Sequence, residues 1–151
     1  MPEVYLVDTS CLIALDNAGL LYILHDLYET VITTPDVVKE YMNPIPDWVK
    51  VTDVIDRNYQ KVLETSLDKG EASIIALALS IPDAKLILDD LKARKYAKQL
   101  GIAITGTLGI LYKAKSSGLI KKIKPHLNKL KDAGFRISDN VESELLRLSG
   151  E

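Results

Sequence analysis

Short apolar runs at residues 4–7, 31–33, 86–88 and 102–104 alternate along this chain with stretches of helical spacing, and few architectures accommodate that order. Runs of three or four residues are too short for buried helices and suit strands covered on both faces. Between them, residues 19–28 place Leu20, Leu21, Leu24 and Leu27 on one face, and Thr34 before Pro35 offers an N-cap with proline at the first helical position. "EASIIALALS" is apolar nearly all round, as expected of a helix with neighbours on every side. Residues 53–66, 91–100, 107–117, 119–131 and 139–148 complete the helices, with Gly101, Gly118 and Gly134 where C-terminal caps belong. Residues 135–137 read as a fifth strand, and "NPIPDW" as a loop within the domain. Strands each followed by a helix predict an α/β fold: one three-layer α/β/α domain over residues 1–151, with a mostly parallel sheet of about five strands.

At 151 residues, one hydrophobic core is expected. No apolar stretch approaches the roughly 20 residues that cross a bilayer, so no membrane role is expected. No export signal is visible at the N-terminus, and the single cysteine, Cys11, has no partner for an internal disulfide. A reducing, cytoplasmic setting follows as an expectation. The net charge of −2 hides an uneven distribution: residues 1–91 carry 16 acids and 6 bases, whereas residues 92–131 carry 11 bases and no acid. A basic stretch of that kind is either the solvated faces of helices or the footprint of a phosphate-bearing partner.

The acids fall in a pattern of their own. In parallel sheets, sites form beyond the carboxyl ends of the strands. Asp8 directly follows the first strand, and Asp89 and Asp90 follow the strand at 86–88. Glu40 lies in the helix after the second strand, and Glu71 begins the apolar helix. Carboxylates crowded at one rim repel, at about 4 kcal/mol per pair for a separation near 4 Å and an effective dielectric near 20. Either protons stay on or a cation sits among them, and an all-oxygen donor set without His or Cys suits hard ions such as Mg2+ or Mn2+.

Each acid also has a simpler explanation. Asp8, Asp89 and Asp90 stand where N-caps stand, and Glu71 in a first turn is favoured by the helix dipole. Glu40 lies past its first turn, where capping does not account for it. Asp16, Asp26 and Asp36 read as solvated, Cys11 as a small buried hydrophobe, and His25 and His126 as surface residues.

The stretches "YLVDTSCLIAL", "VVKEY", "GEASIIALAL" and "LILDDLKARKYAKQLGIAITGTLGIL" resemble, in order and approximate spacing, the PIN-domain nucleases. The chain looks most like a prokaryotic subfamily with GEA, DD and TGTLG motifs, related to the VapC toxins. The resemblance implies hydrolysis of RNA phosphodiester bonds with Mg2+ or Mn2+, using Asp8, Glu40, Glu71 and Asp90 as the catalytic acids. Asp8 is then the central metal ligand, with Glu40, Glu71, Asp90 and its neighbour Asp89 completing the cage. Metal-assisted chemistry of this kind lowers the pKa of the attacking water and stabilises charge at phosphorus. Thr9 or Ser10 would orient a water or a carboxylate. Arg94, Lys113 and Lys115 are candidates for nucleic-acid contacts, and the "ITGTLG" turn for holding a phosphate on free amides. The same resemblance implies a homodimer and an antitoxin protein as partners. Two other expectations compete: a PIN-like RNA-binding or assembly module without useful turnover, and a different magnesium enzyme on a similar sheet, which trapping of an aspartyl phosphate would reveal.

Overall fold

A computed structural model describes residues 3–151. Five strands, β1 (Val4–Val7), β2 (Thr30–Thr33), β3 (Val49–Val51), β4 (Lys85–Ile87) and β5 (Ala103–Thr105), form one sheet in the order β3-β2-β1-β4-β5, with every pair parallel. Nine helices accompany them among the described residues: α1 (Thr9–Asn17), α2 (Tyr22–Leu27), α3 (Pro35–Tyr41), α4 (Arg57–Leu63), α5 (Lys69–Leu79), α6 (Leu91–Gln99), α7 (Thr107–Ser116), α8 (Lys124–Asp132) and α9 (Asp139–Leu148). Leu6, Leu86 and Ile87 of the central strands are fully buried, as strands covered on both faces require. On α5, seven of the eight positions from Ala72 to Leu79 are apolar, Ser73 being the exception, and Gly70 and Ala72 to Ala78 are all buried. None of the helices is long and apolar enough to cross a membrane.

The expected fifth strand is corrected. Residues 135–137 form no strand; Phe135 and Ile137 pack against the core from an irregular segment. The fifth strand is β3, at the opposite edge, with Val31 beside Val49 and Thr33 beside Val51. It emerges directly from the proline-rich loop, the Val49 amide donating to the Pro46 carbonyl at 3.0 Å. Proline lacks an amide to contribute and is tolerated at the entrance of an edge strand, which is why "NPIPDW" concealed one. Helix boundaries move for local reasons. α4 starts at Arg57 because Asp56 caps it, accepting from the Tyr59 amide at 3.0 Å, and α8 starts at Lys124 beside Pro125. Gly101, Gly118 and Gly134 do take left-handed conformations after α6, α7 and α8.

Candidate active site

Because β1, β2 and β4 are parallel neighbours in register, their carboxyl ends open on one rim. Asp8 leaves β1 there with its amide still donating to the Ile87 carbonyl of β4 at 3.1 Å. The residue is only 3% exposed. It stands at the N-cap of α1, yet its side chain makes no capping hydrogen bond, and Ser10 Oγ reaches its Oδ2 only at 3.5 Å. Burial pushes the carboxyl up to about 7; the Thr9 amide pulls against that, and the charges of Glu71, Asp68 and Glu40 add to it. Capping therefore does not explain Asp8.

The other acids arrive on helices locked to the same rim. The Thr33 hydroxyl donates to the Val7 carbonyl at 2.9 Å, and the Thr34 and Ser73 hydroxyls, both buried, share a 2.6 Å hydrogen bond joining the starts of α3 and α5. Glu40, one turn along α3, accepts from Thr9 Oγ1 at 3.1 Å. Its carboxyl is raised by burial and by the charge of Asp68. Thr9 thus joins the start of α1 to the Glu40 carboxylate. At α5, Asp68 and Glu71 form a capping box: the Glu71 amide donates to Asp68 Oδ1 at 2.8 Å, and the Asp68 amide to Glu71 Oε1 at 3.3 Å. Burial, then the charges of Asp68 and Asp90, push Glu71 up to about 7. Asp90 caps α6, accepting from the Ala93 amide at 2.9 Å, while its charge acts on Glu71. Capping and membership of the acidic rim are therefore compatible for Glu71 and Asp90.

Asp89 turns elsewhere. Its Oδ1 accepts from the Thr107 amide at 2.8 Å, and its Oδ2 from Thr107 Oγ1 at 2.6 Å and Cys11 Sγ at 3.2 Å. It is a clamp between the end of β4 and the start of α7, with both carboxylate oxygens engaged. Losing these bonds while leaving the buried Thr107 hydroxyl unpaired should make Asp89→Ala less stable by about 2–3 kcal/mol, read by chemical denaturation. Asp68, which the sequence reading passed over, joins the rim, coupled to Asp8, Glu40 and Glu71. The D-x-x-E spacing of "DKGE" was the available signal, since it marks a capped helix start beside Glu71.

Lys113 and Lys115 lie away from this rim. Lys113 Nζ donates to Tyr5 Oη and Glu3 Oε2, each at 3.1 Å, at the amino end of β1. Lys115 Nζ pairs with Glu151 at 3.0 Å. α7 starts beside Asp89 and runs down the sheet, so residues two turns along it reach the opposite edge. Arg94 stays near the carboxyl ends, its Nη1 donating to the Leu88 carbonyl at 3.0 Å. Asp36, expected to be solvated, is half-buried and accepts from Gln60 Nε2 at 2.7 Å.

Gly70 shows how closely these elements approach. A Cβ there would overlap the Glu40 carboxylate and lie 3.1 Å from Thr9 Oγ1. Gly70→Ala should gain about 0.5–1 kcal/mol of helix propensity and lose about as much from the displaced Thr9–Glu40 contact, leaving stability nearly unchanged. Divalent-cation affinity should nonetheless fall as it does in Glu40→Gln, and calorimetric titration compares the two. A large loss of stability would mean that Glu40 cannot swing aside.

The donor set is all oxygen and carries more negative charge than the rim can hold without protons or a cation. That chemistry fits a hard divalent ion. Among the described residues no three acid, histidine or cysteine side chains surround a common point at ligating spacing. A hard divalent ion that keeps several waters takes only one or two carboxylates directly. Asp8, Glu40, Glu71 and Asp90 are the acids that the parallel strands and their following helices bring to this rim, with Asp68 beside them.

No curated protein matches the chain. The family model DUF3368, described as a PIN domain, matches residues 4–151, a span that includes the whole sheet, all nine helices and every acid of the rim. Proteins with this domain are generally nucleases that use divalent metals, in agreement with the donor set just described. On a match of that extent, the chain belongs to the PIN-domain family.

Proposed function

We propose that the protein is a Mg2+- or Mn2+-dependent endoribonuclease that hydrolyses RNA phosphodiester bonds in the cytoplasm. One observation carries the proposal: a carboxylate buried at the end of β1, uncapped and held at about 7, surrounded by the charges of Glu71, Asp68 and Glu40. Nothing in the packing of the fold calls for that residue to be an acid. Asp8, Glu40, Glu71 and Asp90 would hold the ion, which when bound supplies positive charge to a phosphoryl oxygen and makes a water easier to deprotonate. The chain's own part is positioning. Thr9 fixes the Glu40 carboxylate, the capping box fixes Glu71, and the Ala93 amide fixes Asp90. With carboxyls near 7, Asp8 and Glu71 also lie where a proton can be taken up or released at neutral pH.

The resemblance to VapC toxins supports a toxin role restrained by an antitoxin. A homodimer belongs to the same proposal, and the exposed apolar side chains Tyr112, Val141 and Leu148 along α7 and α9 offer a face for it. Incubation of single-stranded RNA with the protein should give internal cleavage products with magnesium or manganese and none with chelator. A second reading, an RNA-binding module without turnover, draws support from the lack of three convergent ligands among the described residues. Salt-sensitive RNA binding without any metal-dependent product would favour that reading.

A further inference from the structure

Next to the acidic rim, beyond Asp89, a cavity of about 490 Å3 opens between the end of β5 and the segment that follows α8. That volume lies within the range of small-ligand sites, roughly 300–1,000 Å3. Arg94 and Arg136 both line it, and neither meets a carboxylate within ion-pairing distance among the described residues. The Arg94 guanidinium is held in place by its bond to the Leu88 carbonyl, whereas Arg136 is exposed. The single acid in the lining, Asp89, has both oxygens engaged by Thr107 and Cys11. Gly106 forms part of the floor; a Cβ there would lie 2.6 Å from Asp89 Oδ1 and 2.8 Å from Arg94 Nη1, so glycine is what lets α7 begin this close to both. The rest of the wall is made by the apolar side chains of Ile104, Leu108 and Phe135, together with Thr105 and Gly109.

Two arginines and an aromatic ring lining one cavity match the two halves of a nucleotide, an anionic phosphate and an aromatic base. We infer that this cavity seats one nucleotide of a single-stranded RNA whose neighbouring phosphodiester lies over Asp8, with Arg94 and Arg136 on its phosphate and its base against Phe135. The inference rests on the reading of the rim as a nuclease site. It gives a role to the exposed Arg136, beside Phe135, in a segment that the sheet does not use. It also places the basic contact of the strand on Arg136, outside the lysine-rich stretch that the sequence drew attention to.

The test uses the Asp8→Asn protein, so that the strand is not cut, and anisotropy of a labelled RNA oligonucleotide across a salt series. Adding Arg136→Gln should lower the slope of log affinity against log salt by about 0.7, the share of one single-stranded phosphate. Adding Phe135→Leu should weaken binding about tenfold and leave the slope alone. Lys121→Gln, beyond the far end of α7, should change neither. An unchanged slope in Arg136→Gln, an equal loss in Lys121→Gln, or no binding of single-stranded RNA at all would overturn the cavity assignment. Cleavage is read separately with the unmutated protein and magnesium. Products together with an unchanged Arg136→Gln slope would overturn the cavity and leave the nuclease reading standing. The slope change without metal-dependent products would uphold the cavity and overturn the nuclease.

Discussion

Asp8→Asn is expected to lower metal-dependent RNA cleavage by at least about a hundredfold and, at the same time, to make the metal-free protein more stable. Removing even an outer partner of a metal site costs about 10–100-fold, so a central ligand should reach at least the upper end. The gain in stability has a separate origin. Asp8 is 3% exposed, and its carboxyl is pushed from 3.8 to about 7, chiefly by burial. At pH 8 the folded protein must ionise that group against its surroundings, a penalty on the order of 2–4 kcal/mol that the unfolded chain does not bear. Asparagine has the same shape and no charge. Against a total stability of about 5–15 kcal/mol, the difference is readily measured by urea unfolding at pH 8 with chelator present. An ordinary structural aspartate would give the opposite sign, and a variant less stable than its parent there would remove the basis for calling Asp8 functional.

The second large effect is a pH dependence that a divalent cation reverses. Asp8 and Glu71 both titrate near 7 in the folded protein, against ordinary values of 3.8 and 4.5. Between about pH 4 and 7 the folded state therefore holds more protons than the unfolded state. Linkage then requires stability to fall as pH rises through that window and to level off above it. Glu3, lowered by Lys113, and Glu142, lowered by Lys131, act in the opposite sense, but only below their ordinary range, where falling pH removes their contribution. The window from 5 to 7 thus belongs to the rim. A cation that needs these carboxylates ionised binds more tightly as pH rises and releases protons when it binds. At a hundred times its dissociation constant it adds about 2.7 kcal/mol. Melting curves with manganese or with chelator should diverge from pH 5 to pH 8. Equal shifts at both ends, or a chelated protein that grows more stable between 5 and 7, would contradict a shared cation at the rim.

Much of this was legible in the chain. Strand β1 and the burial of α5 follow from apolar runs too continuous to face water, and Asp8 is conspicuous because it interrupts two of them. The same local logic failed at 135–137 and at 49–51. Both are short, with a base between two apolar residues, and nothing within either segment states whether a neighbouring strand has a free edge. Phe135 and Ile137 found the core without pairing, while Val49 and Val51 found β2 behind two prolines. Lys113 and Lys115 failed for a related reason: a count of charges along the chain does not say which end of a helix lies over which edge of the sheet.

By itself, then, the amino-acid order determined which segments had to be buried, that the strands run parallel, and that acids follow several of their carboxyl ends. Those properties depend on hydrophobic periodicity and on the geometry of strand–helix connection, which act over a few residues at a time. Only the tertiary structure decided that Asp89 clamps α7 while Asp90 acts on Glu71, that Asp68 joins the rim, and that Arg136 comes to lie across a cavity from Arg94. The two neighbouring side chains diverge because Asp90 caps its own helix through the Ala93 amide, whereas Asp89 is drawn to the Thr107 hydroxyl and amide, 18 residues on, and no local pattern records that this distant partner will be within reach.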